Sequence, residues 1–195
     1  MIKGRYQIES TSPGEMLRDE ARRGTAIGIE ASARTSQGLM VPDAVVIGMV
    51  KNWLAEHNGA FVFDGFPRTL EQADALEALL EGRNTPLDIV FFLNVPLEAI
   101  RDRVVRRVTC EKCGAVFSLG LHVGSVVERC PVCQGTLGKR SDDTLEALEH
   151  RMAEYREKTE PVERYYRKRG FLRELDGSQK PEVVFGEIST VIAGL

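Results

Sequence analysis

One stretch limits the possible folds more than any other: Phe61-Val62-Phe63-Asp64-Gly65-Phe66-Pro67-Arg68. Its first three residues are apolar and β-favouring, as in a strand buried on both faces. A carboxylate, a glycine, a proline and an arginine follow at once. Thr69 then precedes a run in which Leu70, Ala73, Leu76 and Leu80 recur at helical intervals, with Gln72 at capping-box spacing. The unit is strand, loop, helix, and its acid and arginine sit at the carboxyl end of the strand, where open α/β sheets bind ligands. An arginine fork there suits phosphate, and an aspartate suits a metal and its waters. The plainer alternative is a helix-capping Asp64 and a surface Arg68.

A chain of 195 residues points to one domain, with room for an inserted lobe. The net charge of −3 supplies no global basic field to recruit nucleic acid or an acidic membrane. The N-terminus lacks a signal-peptide apolar core, and no apolar run is long enough to span a bilayer. A cytoplasmic location is therefore expected, and in a reducing compartment four cysteines point to metal ligands before disulfides.

In chain order, Tyr6-Gln7-Ile8 is a possible short strand, and Ser12-Pro13-Gly14-Glu15 is a turn and helix start. Gly24-Thr25-Ala26 interrupts that helix, and a second one runs toward Gln37-Gly38, a C-cap pattern. Leu39-Met40-Val41 is extended before Pro42, and Asp43 is placed to cap a third helix with Val46, Met49, Val50 and Leu54 as its apolar stripe. Asp88 to Val95 has the clearest pattern of a buried strand. Pro96 opens a helix bearing Arg101, Arg103, Arg106 and Arg107. A long helical pattern runs from Asp143 toward Arg169, with Leu145, Leu148, Met152, Tyr155, Val162 and Tyr166 as its stripe and Pro161 as a kink. Leu172 to Leu175 is a last strand, and Pro181 leads a closing helix. Strands alternating with helices predict an α/β fold around a parallel sheet with right-handed crossovers.

Between the arginine-bearing helix and the long helical pattern lie Cys110-Glu111-Lys112-Cys113 and Cys130-Pro131-Val132-Cys133, with sixteen residues between the inner cysteines. This is the spacing of two knuckles sharing one tetrahedral zinc through Cys110, Cys113, Cys130 and Cys133. Four thiolates close the coordination shell, so such a metal is structural and not catalytic. Gly114 and Gly135 stand just past the pairs, where the backbone must turn tightly. The segment predicts a small β-rich lobe that a metal holds folded. Two redox pairs, or a nucleic-acid zinc ribbon, are the alternatives; the ribbon lacks a basic-aromatic face, with only Lys112 and Arg129 inside the loop. Arg103 and Arg107 precede the lobe, and Lys139, Arg140, Asp142 and Asp143 follow it, so it could close over polyphosphate. Solvated helix charges explain Arg101 and Arg106, and could explain the rest.

Taken together, the pieces resemble the adenylate kinases, in the bacterial zinc-bearing long-lid type. The matching stretches are Gly14-Glu15-Met16-Leu17-Arg18, Gly38-Leu39-Met40-Val41-Pro42-Asp43, Asp64 to Thr69 with Gln72, Arg103 with Arg107, the four cysteines, Arg140-Ser141-Asp142-Asp143, Arg151, and Asp176-Gly177 ahead of Lys180-Pro181. The resemblance implies a three-layer, P-loop nucleoside monophosphate kinase-like parallel sheet with helices on both faces and a zinc-binding β lid. It implies a core formed by 1–11, 42–105 and 144–195, a monophosphate-binding segment at 12–41 and a lid at 106–143. The implied reaction is reversible phosphoryl transfer from ATP to AMP, giving two ADP, with magnesium. Resemblance assigns Arg18 and Arg68 to the AMP phosphate, and Gln72 with the backbone of Leu39, Met40 and Val41 to its adenine. Gly65, Phe66 and Pro67 belong to the same AMP site. Arg107, Arg140 and Arg151 fall to the transferring phosphates, Arg103 to the ATP side, Asp64 to magnesium waters, and Val116, Phe117 and the backbone at Lys180 to the ATP base. Zinc in the lid, ATP and AMP as partners, and a cytoplasmic monomer contacting neither nucleic acid nor membrane complete the expectation. Pro13 stands where the family usually has a threonine, which bears on the AMP preference.

The resemblance also predicts a phosphate loop of the form G-x-x-x-x-G-K-[ST], and these 195 residues contain none; the one Gly-Lys pair, Gly138-Lys139, is followed by Arg140. Met1 to Ile8 corresponds to the end of the family's first helix, leaving roughly twenty residues unmatched, about a strand, a loop and most of a helix. That strand lies centrally in the family, between the Phe61 strand and the Ile89 strand. Those strands are expected to face an empty slot, at a cost on the order of 1–3 kcal/mol for each buried unpaired backbone group. The chain as it stands is expected to phosphorylate AMP little or not at all. Three readings follow: a kinase whose start lies upstream of Met1, a non-catalytic remnant that keeps an AMP pocket and a zinc lobe, and a zinc-ribbon interaction module.

Overall fold

The computed structural model describes residues 2–37, 39–120, 129–140 and 143–195. Helix α1 (Ile2–Tyr6) ends at Gln7, whose φ of 54° turns the chain into strand β1 (Glu9–Thr11). The strand expected at Tyr6–Ile8 therefore begins later, because a left-handed residue cannot continue extended backbone. Helices α2 (Pro13–Arg22) and α3 (Ala26–Ser36) start where hydroxyls cap them: Ser12 accepts from the Glu15 amide and Thr25 from the Gly28 amide. They pack so tightly that a Cβ at Gly28 would lie 2.2 Å from the Ala21 backbone nitrogen. Gln37 caps α3, and Gly38, expected to share that role, lies outside the described residues.

Helix α4 (Asp43–Glu56) buries Val46, Val50 and Leu54, as its stripe predicts. They join Leu17, Ala31, Val41, Phe66, Leu76 and Leu80 in the largest core cluster. Strand β2 (Phe61–Phe63) runs parallel to β1, with Glu9 opposite Phe61 and Thr11 opposite Phe63. Helix α5 (Leu70–Glu81) turns Gln72, Ala73, Leu76 and Leu80 inward, whereas Leu70, expected in that stripe, is exposed at the first turn. Strand β3 (Val90–Asn94) runs parallel to β7 (Leu172–Asp176). Between them come α6 (Leu97–Arg106) and an antiparallel sheet of β4 (Arg107–Cys110), β5 (Val116–Ser118) and β6 (Leu137–Gly138), with β4 central. The lobe around the cysteines is thus β-rich, as expected; residues 121–128 within it lie outside the described residues.

The long helix expected from Asp143 to Arg169 is instead α7 (Leu145–Glu154), a π-helical turn (Tyr155–Thr159) and α8 (Glu160–Lys168). Pro161 falls in the first turn of α8, where its missing N–H costs least. Of the expected stripe, Leu148, Val162 and Tyr166 are buried, but Leu145 is exposed. Helix α9 (Pro181–Ile192) packs Val184 and Ile188 against Leu175 of β7.

Among the described residues the four parallel strands form two separate pairs, β1–β2 and β3–β7. Strand β3 is apolar from Val90 to Leu93, yet none of its residues is buried and Leu93 is 48% exposed. Phe61, Val62 and Phe63 are half-buried. The expectation of deeply buried central strands is corrected accordingly: no neighbour is described on their second edges, and their residues are half-buried or exposed. No helix among the described residues is long and apolar enough to cross a membrane.

Candidate active site and metal centre

The carboxyl end of β2 is built by two local devices. The Asp64 amide donates to the Thr11 carbonyl at 2.9 Å and carries the parallel pairing one residue past the strand. Gly65 then takes φ +67°, and a Cβ there would lie 2.7 Å from Nη2 of Arg68. Glycine thereby lets Arg68 fold back, and its Nε donates to the Gly65 carbonyl at 2.8 Å. Phe66 anchors the loop in the core, and the Phe66–Pro67 peptide is cis. Thr159 of the π-helical turn donates to the Arg68 carbonyl at 3.0 Å, tying this loop to the helix pair that carries Arg151.

Three predicted site residues meet here. Arg68 is exposed at the strand end, yet its pKa is held below the ordinary arginine value, first by local desolvation of the guanidinium and then by the Arg151 charge, while Asp64 opposes both. Two guanidinium charges that act on one another at a strand's carboxyl end are an arrangement suited to an anion.

Beside it lies a hydrogen-bonded frame. Thr69 caps α5 by accepting from the Gln72 amide at 3.1 Å. The Gln72 side-chain carbonyl accepts from the Arg68 amide at 2.8 Å, and its Nε2 donates to Asp43 Oδ1 at 2.7 Å. Asp43 Oδ2 accepts from the Thr69 hydroxyl at 2.6 Å. The capping box expected from Thr69 and Gln72 is therefore shifted by one residue, to the Arg68 amide. The cap expected from Asp43 is corrected too: Asp43 is the first residue of α4 and makes no cap bond, because its carboxylate reaches across to α5. A cleft of about 270 Å³ adjoins this frame, lined by Arg34, Met40, Val41, Asp43, Thr69 and Lys158 among others. Arg34 donates to the Met40 carbonyl at 2.9 Å and so fixes the extended segment Leu39–Val41, in which Val41 is buried. Sequence reasoning missed Arg34, Thr159 and the cross-helix role of Asp43. A basic residue in the last turn of α3 was the only signal for Arg34.

The other predicted arginines are held elsewhere. Arg107 grips Asp143 with Nε at 2.9 Å and with Nη2, and the Asp143 side chain is fully buried. Arg140 donates to the Thr109 hydroxyl at 3.2 Å, and the Asp143 amide donates to the Arg140 carbonyl, so both arginines flank the junction of the small sheet with α7. Ser141 and Asp142 of that motif lie outside the described residues. Arg103 donates to the Gly177 carbonyl at 2.7 Å, three residues before Lys180, which stands at the N-cap position of α9 without a side-chain cap bond. Val116, half-exposed, and Phe117 lie on β5, with Phe117 opposite Val108 of β4. Arg18 is exposed on α2, with its guanidinium over Gly14.

The four cysteines converge. Cys110, Cys113, Cys130 and Cys133 place all their sulfurs within 4.8 Å of one another, with Cys110–Cys133 at 3.5 Å and Cys113–Cys130 at 3.7 Å. A tetrahedral metal with bonds of about 2.3 Å separates its sulfurs by about 3.8 Å, so the donor set fits an ion. The two knuckles have the same hydrogen bonds. Gly114 N donates to Cys110 O and Gln134 N to Cys130 O; Cys110 N donates to Ala115 O and Cys130 N to Gly135 O. Hydrogen bonding from the Cys113 backbone amide chiefly lowers the Cys110 thiol, while its neighbour Cys113 is pushed up by the sulfurs around it, so without an ion the cluster keeps the charge on only some of its sulfurs. The tight turns fall on Gly114 (φ +73°) and Gln134 (φ +60°). Gly135, expected at the turn, serves packing instead: a Cβ there would meet the Lys112 Cβ at 2.7 Å and the Cys110 sulfur at 3.0 Å.

Sequence comparison gives the same direction. The adenylate kinase family profile matches residues 1–171. A Methanosarcina acetivorans protein named adenylate kinase is 40% identical over 190 residues, covering 96% of this chain and 88% of that one. Adenylate kinases of Archaeoglobus fulgidus and Clostridium botulinum are 39% and 34% identical over 193 and 194 residues, each covering 98% of this chain and 89% and 90% of their own length. With this coverage, a parallel α/β frame, paired guanidinium groups at a strand end and a four-cysteine lobe, the chain belongs to the adenylate kinase family, the nucleoside monophosphate kinases that transfer phosphoryl groups between nucleotides.

Proposed function

We propose that this chain holds the AMP-binding and lid machinery of an enzyme that interconverts ATP and AMP with two ADP. The observation that carries the proposal is Arg68 folded back at the end of β2, its Nε on the Gly65 carbonyl and its own carbonyl bonded by Thr159 from the helix pair that bears Arg151; the Arg151 charge acts on it there, and a phosphate would relieve the repulsion of the two cations. In this reading Arg18, Arg68 and Arg151 bind the AMP phosphate, while Leu39, Met40, Val41 and Gln72 hold its base. Arg107, Arg140 and Arg151 face the transferring phosphates, and Arg103, Val116, Phe117 and Lys180 the ATP side. Positioned guanidinium groups lower the barrier by meeting the negative charge spread over the phosphoryl oxygens, without covalent catalysis. Magnesium, when bound with ATP, supplies further charge neutralisation. Asp64, exposed at the strand end, is the carboxylate suited to orient its waters. Residues 12–41 act as the monophosphate-binding segment, 106–143 as the lid, and 1–11, 42–105 and 144–195 as the core. Lid closure excludes water, a competing acceptor. Zinc on the four thiolates is structural. The protein works as a cytoplasmic monomer, with ATP and AMP as partners rather than nucleic acid or membrane.

These 195 residues contain no glycine-rich phosphate loop with its lysine, so little donor-phosphate binding is expected of them. The open edges of β2 and β3 favour a second reading, a non-catalytic protein that binds AMP and zinc. Two measurements on the 195-residue chain test the proposal. AMP should bind at least ~10-fold tighter than adenosine, a difference that Arg68→Ala sharply reduces; equal affinities contradict the site. In a coupled assay, turnover should stay below ~1 per second, and a faster rate contradicts the weak donor binding.

A further inference from the structure

The four sulfurs of the lobe are not equivalent. Cys113 is exposed and Cys133 half-buried, whereas Cys110 and Cys130 are 1% and 0% exposed. Two close contacts join an outer sulfur to an inner one: Cys133 to Cys110 at 3.5 Å, and Cys113 to Cys130 at 3.7 Å. Both run from one knuckle to the other. The Cys110 and Cys133 sulfurs also share a niche that a bare glycine leaves open. A Cβ on Gly135 would lie 3.0 Å from the first and 3.3 Å from the second. Cys110 ends β4, and the residue opposite it in the sheet is Leu137 of β6. A bond between the knuckles would therefore hold β4 to the segment that leads into β6, as a shared metal would. A bond inside one knuckle would not.

We propose that the lobe is a peroxide-modification site, in which oxidation pairs Cys110 with Cys133 and Cys113 with Cys130 and so replaces a metal by two disulfides. Nothing in this depends on the nucleotide chemistry proposed above. Hydrogen peroxide reaches the outer sulfurs, Cys113 and Cys133, first. Its O–O bond breaks as one oxygen bonds the sulfur. The other oxygen leaves with the thiol hydrogen as water, and the outer cysteine becomes a sulfenic acid. The inner sulfur, 3.5 or 3.7 Å away, then attacks the oxidised one. The S–S bond forms, the S–O bond breaks, and the hydroxyl leaves with the inner thiol's hydrogen as water. Each pair gives two electrons to one peroxide, and no further oxidant is needed. Because the resolving sulfur is already in contact, the disulfide forms ahead of a second oxidation to sulfinic acid. An ion held by these sulfurs is released as its ligands are consumed.

The test is peroxide titration of the whole 195-residue chain, with thiol counting, a metal-sensitive dye and disulfide mapping by mass spectrometry. About two peroxides per chain should consume all four thiols and release bound metal. A dithiol reductant should restore the thiols and metal binding. The Cys110–Cys133 and Cys113–Cys130 linkages should exceed linkages within a knuckle by at least ~10-fold. With a chelator present, the oxidised chain should melt higher than the reduced one. Cys113→Ser should still form the Cys110–Cys133 bond and leave the Cys130 thiol free. Linkages within a knuckle, Cys110 bonded to Cys130, sulfinic acids in place of disulfides, or thiols that survive the treatment overturn the proposal. Correct pairing without a higher melting temperature overturns the replacement of the metal.

Discussion

At the residue scale, single atoms decide local geometry. A methyl group at Gly28 would meet the α2 backbone, which cannot rotate away as a side chain could. Gly28→Ala is therefore expected to cost about 1–3 kcal/mol through overpacking, read as a lower midpoint in urea with an unchanged slope. An unchanged midpoint would mean that α2 and α3 are less tightly joined. Gln134 gives the opposite sign. It holds φ +60° at the turn of the second knuckle, where the first knuckle has Gly114. Gln134→Gly should stabilise the lobe by about 1 kcal/mol, measured as a higher melting temperature of the metal-loaded chain. Gln72 was legible as a residue of interest because its spacing from Thr69 follows a local rule. Its partners were not, because Asp43 lies 29 residues earlier and no local pattern joins α4 to α5. The same limit hid Thr159, 91 residues from the Arg68 carbonyl it grips.

At the element scale, sequence patterns located strands better than they described their surroundings. Phe61–Phe63 and the Ile89–Asn94 region are apolar enough to predict interior strands, and strands form there. Burial depends on neighbours, which a one-dimensional pattern does not contain. The pairing registers specify which amides are free. Asp64 N bonds Thr11 O and Val90 N bonds Phe171 O, so with alternation along a parallel ladder Val62 and Phe92 face their partners. The amides of Phe61, Phe63, Phe91 and Leu93 face the other edges. Hydrogen exchange should be at least ~10-fold faster at those four than at Val62 and Phe92; equal protection would mean that something pairs with the open edges. The cysteine lobe was the most legible element, since sulfur spacing alone implied convergence. Its dependence on metal follows from its size, a three-stranded sheet whose described residues join none of the core clusters. Cys130→Ser, or chelation, should lower the melting temperature, and the metal-linked part of stability should fade as pH drops, because protons compete for the thiolates. Heat stability indifferent to both treatments would remove the metal from the account.

At the scale of the whole molecule, the proposed function has guanidinium groups at the end of β2 and a four-cysteine lobe between α6 and α7 serve one chemistry from distant parts of the chain. The order of motifs carried this reading in the sequence, because no single motif is specific. The distribution of arginines did not: Arg107 and Arg140 are held at the junction of the small sheet with α7, around Asp143, whereas Arg68 and Arg151 share the strand end. The most direct test is a crystal structure of the 195-residue chain with AMP. The account predicts the phosphate within hydrogen-bonding distance of both the Arg68 and Arg151 guanidinium groups. A phosphate bound anywhere else, or at neither arginine, contradicts it.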